Sequence, residues 1–236
     1  MSDHESKAHE LTFSGFLVDL DGTIIDSTAA VENHWQDVGK EIGVDPKVIL
    51  ETSHGRRSLD VLELLAPAYA NWDFVKRIEA AIPVNHGHLA TVIPGAAAFL
   101  QSLTTNSAPW AIVTSSSSSL ATGWLNAFDL PSPDSDRLIT AESVKVGKPD
   151  PTCYFLGRKS LGSSGDDGES LLVIEDSPAG IRAGKDAGCK VLGLVTSHTY
   201  EQVKSAGPDW IVKDLKSVKI LGKNGDRVMV EICNTI

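Results

Sequence analysis

Four short stretches carry side chains able to do chemistry together. Asp19-Leu-Asp21-Gly22 sets two carboxylates two positions apart, directly after the apolar run Phe13–Val18. Carboxylates that converge on one point repel unless a cation intervenes or one of them keeps its proton. Two useful outcomes follow. A Mg²⁺ ion can bind through the oxygen ligands, or one aspartate can act as nucleophile while its neighbour, with a raised pKa, moves the proton. For this stretch alone, a solvated acidic turn is the plain alternative.

Three further stretches change that balance. Glu175-Asp176 is a second acidic pair at the end of another apolar run, Leu171–Ile174. It is followed by Ser177-Pro178, a helix-capping residue and a proline tolerated in the first turn. Four carboxylates at one edge call for a divalent cation, so Asp176 is expected to complete a Mg²⁺ site with Asp19 and Asp21, and Glu175 to help through water. Thr114-Ser115 ends a third apolar run and offers hydroxyls and backbone N–H groups to a phosphate, aided by the helix that follows. Lys148, between Gly147 and Pro149, supplies the one cation able to neutralise a transferring phosphoryl oxygen at such an edge.

These residues must be delivered by elements that end at one edge. Short apolar runs at 13–19, 110–114, 137–140, 171–175, 190–195 and 210–212 read as buried strands of a parallel sheet. Helical stretches at 95–103, 118–128, 151–161, 178–187 and 200–205 alternate with them, which predicts an α/β fold with helices on both faces. Ligands of such sheets bind beyond the carboxyl ends of the strands, where all four stretches lie. Residues 27–92 break the rhythm. They show helical spacing (Val31, Trp35, Val38; Leu59, Leu62, Leu65; Phe74, Ile78) without a convincing strand, and are expected to form a small inserted helical cap. The core is then 13–26 plus 93–236, after a disordered tail at 1–12. Asn224-Gly225 between two apolar runs predicts a terminal hairpin.

Composition narrows the partners. The 236 residues carry a net charge of −10 with 42% hydrophobic side chains, which suits one globular core plus a small insert. The acidic balance argues against nucleic-acid coating, and no apolar run reaches the ~20 residues of a membrane span. Three scattered cysteines with no CxxC pair fit a reducing, cytoplasmic setting. The expected partner is a small phosphorylated metabolite, and the expected assembly a monomer or weak homodimer.

The four stretches, in this order and spacing, resemble the motif set of the haloacid dehalogenase-like hydrolase superfamily, from about residue 13 to the end. The similarity implies a Rossmann-like core in which Asp19 is the nucleophile, Asp21 the acid–base group, and Thr114 and Lys148 hold the phosphoryl oxygens. It also implies Mg²⁺ held by Asp19, the backbone carbonyl of Asp21, and Asp176. Asp21 argues against dehalogenation, because dehalogenases of the superfamily lack an aspartate at that place. The insert is similar to the cap of the group that includes β-phosphoglucomutase. Ser53-His-Gly-Arg-Arg57, Gly147-Lys-Pro-Asp-Pro151 and Glu175-Asp-Ser-Pro-Ala-Gly-Ile181 resemble 2-deoxyglucose-6-phosphate and glycerol-phosphate phosphatases. The implied activity is a phosphoric monoester hydrolase acting on a small sugar or polyol phosphate. A phosphosugar mutase and a non-catalytic sugar-phosphate-binding protein are the alternatives. Mutases carry a cap histidine at about the place of Val31 here; His34 lies one helical turn on.

Substrate choice is expected from the cap segment 53–58. Arg57 is a candidate ligand for the phosphate or a hydroxyl, or else a partner for Asp60 or Glu63; Arg56 carries less weight. His54 is a candidate substrate contact or a packed core histidine. The five tryptophans read as packing residues.

Overall fold

The computed structural model describes residues 8–53, 56–163 and 167–236. Chain order begins with β1 (His9–Phe13), β2 (Gly15–Val18) and β3 (Ile25–Asp26), then α1 (Thr28–Ile42), α2 (Pro46–Ser53), α3 (Ser58–Leu65) and α4 (Trp72–His86). It continues with β4 (Thr91–Val92), α5 (Ala96–Thr105), β5 (Trp110–Val113), α6 (Ser118–Ala127), β6 (Leu138–Ile139) and α7 (Thr152–Ser160). The last elements are β7 (Leu171–Glu175), α8 (Pro178–Asp186), β8 (Lys190–Leu194), α9 (Tyr200–Ser205), β9 (Trp210–Val212), β10 (Val218–Asn224) and β11 (Arg227–Ile232).

The expected apolar runs form one parallel sheet in the order β6-β5-β2-β7-β8-β9. β2 lies at its centre, with Val18 beside Ile112 on one neighbour and Ile174 on the other. Strands this buried must cover both faces, and alternate residues do so. Phe16, Val18, Ile112, Ile174 and Leu192 face α5 and α6, where Phe99, Leu103 and Trp124 lie. Leu17, Val113, Val173 and Val191 face α7 and α8, where Tyr154 and Ile181 lie. Because β2, β5 and β7 run parallel in register, Asp19, Thr114 and Asp176 emerge at the same edge.

Between β3 and β4 the described residues include α1, α2, α3 and α4, with their own apolar cluster around Trp35, Val38, Ile49, Leu62, Val75 and Ile78. The ends of this segment are joined by a two-residue antiparallel pairing of β3 with β4. Such short strands leave no readable periodicity. α4 contains Pro83, which packs against Gly123 of α6.

Residues 1–12 are not a disordered tail throughout. The expected hairpin is present as β10–β11, and His9–Phe13 forms β1, which pairs antiparallel with β11 and extends it to a three-stranded ribbon β1-β11-β10. The reason lies in the partner. β11 buries Val228, Val230 and Ile232 on one face, and β1 supplies Leu11 and Phe13 at the matching alternate positions while Glu10 and Thr12 stay exposed. Residues 1–7 lie outside the described residues. No helix among the described residues is long and apolar enough to cross a membrane.

Candidate active site

Asp19 follows β2 and is 6% exposed. Its Oδ1 accepts from Lys148 Nζ at 2.7 Å, and the same ammonium donates to Glu175 Oε1 at 2.6 Å and to the Val113 carbonyl at 2.9 Å. Lys148 therefore ties the ends of three strands together. Burial would lower its pKa, but the carboxylates of Asp19 and Glu175 more than reverse this and keep it charged. Burial pushes the Asp19 carboxyl well up, against the pull of Lys148.

Asp176 ends the β7 turn and is 2% exposed. Its Oδ1 accepts from Thr23 Oγ1 at 3.1 Å, and its Oδ2 accepts from Ser197 Oγ, on the loop after β8. Gly22 has φ +87°, and a Cβ there would overlap the Asp176 carboxylate, so the Asp-Gly turn is what lets the two acidic stretches approach.

Carboxylate oxygens of Asp19, Glu175 and Asp176 lie within 4.8 Å of one another. They are buried, with one lysine among them, so an oxygen-liganded divalent cation fits the donor set. The three do not play equal parts. Glu175 Oε1 accepts from Lys148 and Tyr154, and its Oε2 accepts from the amides of Asp176 and Ser177 and from Ser177 Oγ. With five donors on its two oxygens, Glu175 is an anchor for Lys148. Asp19 accepts from Lys148 on Oδ1 and Asp176 accepts one hydroxyl on each oxygen, which leaves these two more lone-pair capacity for a metal. The Asp21 carboxylate stands outside this cluster.

Asp21 instead borders the cavity. Oδ1 accepts from Ser27 Oγ at 2.7 Å and from the Trp124 indole N–H at 3.1 Å; Oδ2 accepts from Ser116 Oγ at 2.6 Å. Burial raises its pKa and the three donors oppose the rise. Thr114 and Ser115 border the same cavity. The Thr114 hydroxyl accepts the Ser116 N–H at 3.0 Å, which shapes the turn.

Across the cavity stand His34, Trp35, Arg56 and Glu79. His34 is buried, and its Nε2 has no hydrogen-bond partner among the described residues. Burial, with His86 nearby, lowers its pKa to about 4. Glu79 is 3% exposed and accepts from Ser58 Oγ and the Ser117 N–H. Burial raises its pKa against those two bonds.

Arg57 is not at the cavity. Its guanidinium donates to the carbonyls of Ala141, Val144 and Lys145 and pairs with Asp60 through Nε (2.9 Å) and Nη2 (2.5 Å). It is 4% exposed. The Asp60 pairing anticipated for this residue is thus present, and it is the exposed neighbour Arg56 that borders the cavity. His54 lies outside the described residues.

The sequence signature of the haloacid dehalogenase-like hydrolases matches residues 13–188. The chain belongs to that family. It is 38% identical over 234 residues to glycerol-1-phosphate phosphohydrolase 2 of Saccharomyces cerevisiae, covering 96% of this chain and 92% of that one. It is 35% identical over 234 residues to 2-deoxyglucose-6-phosphate phosphatase 1 of the same yeast, covering 93% and 95%. Among solved structures, a hydrolase from Pseudomonas syringae superposes with a TM-score of 0.70 at 23% identity, over 85% of this chain and 94% of that one.

For a haloacid dehalogenase-like hydrolase, the residues missed by sequence reasoning are those supporting the acidic groups: Ser27, Ser116 and Trp124 around Asp21, Tyr154 beside Glu175, and Ser197 on Asp176. Ser115–Ser119 is a run of five serines with no pattern of its own. In the fold its members divide the work: Ser116 binds Asp21, Ser117 caps α6, and Ser118 binds Glu142 through its N–H and hydroxyl.

Proposed function

We propose that the chain is a Mg²⁺-dependent phosphatase of small sugar or polyol phosphate monoesters, working through an aspartyl-phosphate on Asp19. The observation that carries this reading is Lys148 held between Asp19 and Glu175 at the shared strand edge, with Asp176 beside them and Asp21 on the substrate side.

An Asp19 carboxylate oxygen attacks phosphorus while the bond from phosphorus to the ester oxygen breaks. Asp21, whose carboxyl burial pushes upward in pKa, acts as the general acid and gives a proton to the departing alkoxide. Thr114 and Ser115 contact the phosphoryl oxygens, and the Lys148 ammonium beside Asp19 neutralises charge on them, shifting a donor from Asp19 as that carboxylate bonds to phosphorus. Water then attacks the same phosphorus, Asp21 takes a proton from it, and the acyl-phosphate bond breaks to free Asp19 and inorganic phosphate. Asp19, Asp176 and the Asp21 backbone carbonyl would hold Mg²⁺, which screens the approach of an anionic nucleophile to an anionic ester. Positioning and charge neutralisation make up most of the catalysis in such a transfer. Residues 27–92 act as a cap that closes over the substrate and excludes water.

Two observations favour hydrolysis over mutase chemistry. The relatives matched along nearly the whole chain are named as phosphatases, and Val31, without an ionisable group, stands where the mutase histidine is expected. The test is release of inorganic phosphate from a panel containing glycerol 1-phosphate, 2-deoxyglucose 6-phosphate and hexitol phosphates. Turnover should vanish with EDTA and return with Mg²⁺. No release from any member would contradict the proposal. Conversion of β-glucose 1-phosphate to the 6-phosphate in the presence of a bisphosphate would favour the mutase.

A further inference from the structure

Phosphoryl transfer leaves one buried acid of the cavity without a task. Glu79 sits in the third turn of α4 and reaches out of the helical segment to the core. Its Oε2 accepts the Ser117 N–H at 2.7 Å, at the start of α6, and its Oε1 accepts the Ser58 hydroxyl at 2.5 Å. A backbone donor at a helix N-terminus and a hydroxyl both favour the carboxylate form. The group is fixed, lines the cavity, and is bonded to Ser117, next in the chain to the Ser116 that binds Asp21, so it stands on the side from which the ester oxygen departs.

The cations of the cavity do not offset it. Lys148 is committed to Asp19 and Glu175, and Arg56 is exposed. Glu32 adds a second carboxylate to the lining from α1. We infer that Glu79 is a specificity-determining residue: it admits alcohols whose carbons next to the ester are neutral and hydroxylated, and rejects those carrying a second anionic group there. A hydroxyl can donate to the carboxylate, whereas an anion at similar range meets like charge in a poorly screened site. Coulomb's law at an effective dielectric near 20 makes that a discrimination on the order of 10²-fold in kcat/KM. The inference rests on the phosphatase reading and adds the class of leaving alcohol to it.

Glycerol 1-phosphate and 3-phosphoglycerate share a three-carbon chain and differ in a hydroxymethyl against a carboxylate. Their kcat/KM ratio should be measured with Mg²⁺ for the full chain, for Glu79→Gln and for Glu79→Asp. The amide of Glu79→Gln can still accept the Ser117 N–H and donate to Ser58, so both cross-connections survive the loss of charge. The unchanged chain is expected to prefer the neutral ester by about 10²-fold. Glu79→Gln should narrow the ratio at least about tenfold, mainly through KM for 3-phosphoglycerate, and Glu79→Asp should keep most of it. Equal losses on both esters in Glu79→Gln, or no preference in the unchanged chain, would overturn the inference and leave the phosphatase reading standing. If Glu79→Gln does not fold, a preference abolished in the folded, still charged Glu79→Asp overturns it, and a preference retained there upholds it. Release of phosphate from neither ester nor any other monoester would instead remove the phosphatase reading, and this inference with it.

Discussion

The strand-end edge of the sheet and the helical segment facing it across the cavity are built in opposite ways. At the edge, the groups around Asp19 are held by several partners each: Lys148 by two carboxylates and a carbonyl, Glu175 by five donors, Asp21 by three. In the facing segment, Arg57 and Glu79 tie the segment to the core, and His34 Nε2, buried at the cavity, lacks a partner among the described residues. The edge is preorganised for charge that develops at one atom. The facing segment keeps its remaining hydrogen-bonding capacity for whatever alcohol enters. One catalytic machinery can thus serve different substrates when only the facing segment changes.

The largest effect that would break this comparison lies at Arg57. Its buried guanidinium grips the loop that leads to Lys148, and a Cβ at Gly147 would sit 2.8 Å from its Nε. Arg57→Met leaves carbonyls and Asp60 without their donor and should cost about 3 kcal/mol of stability, read by urea unfolding. KM for the preferred ester should change by less than about threefold in the folded variant, since the side chain lies outside the lining of the cavity. A tenfold rise in KM with stability intact would return Arg57 to the substrate side.

A smaller effect sharpens the comparison from the edge. Trp124→Phe keeps the ring that fills the core under α6 and removes the N–H that Asp21 accepts. Turnover of an alkyl phosphate, whose leaving oxygen needs a proton, should fall about tenfold. Turnover of p-nitrophenyl phosphate, whose leaving group departs as an anion, should change by less than about threefold. Equal losses would make Trp124 a packing residue and nothing more.

The sheet was legible because fully buried strands must be apolar along their whole length, and the runs at 110–113, 171–175 and 190–194 announce themselves and their acidic or hydroxyl-bearing ends. β1 was not, since His-Glu-Leu-Thr-Phe makes sense only beside β11, which lies more than two hundred residues away. Asp19, Lys148 and Asp176 were legible through their types and spacing. The partners that orient them were not: Trp124 and Asp21 are 103 positions apart, and nothing local marks an indole as a donor to a carboxylate. The direction of Arg57 was equally hidden. It turns on the missing Cβ of Gly147 and on three carbonyls exposed by the loop at 141–145, features of the folded chain and not of the segment 53–58.

Trapping the covalent phosphoryl-enzyme tests the nucleophile most directly. An acyl-phosphate is reduced by borohydride to an alcohol, so an enzyme quenched during the first turnovers and treated in this way should carry homoserine at position 19 when digested and sequenced by mass spectrometry. That mark should require both ester and Mg²⁺ and be absent from Asp19→Asn. Reduction mapped to another carboxylate, or phosphate released by Asp19→Asn at the parent rate, would contradict the mechanism.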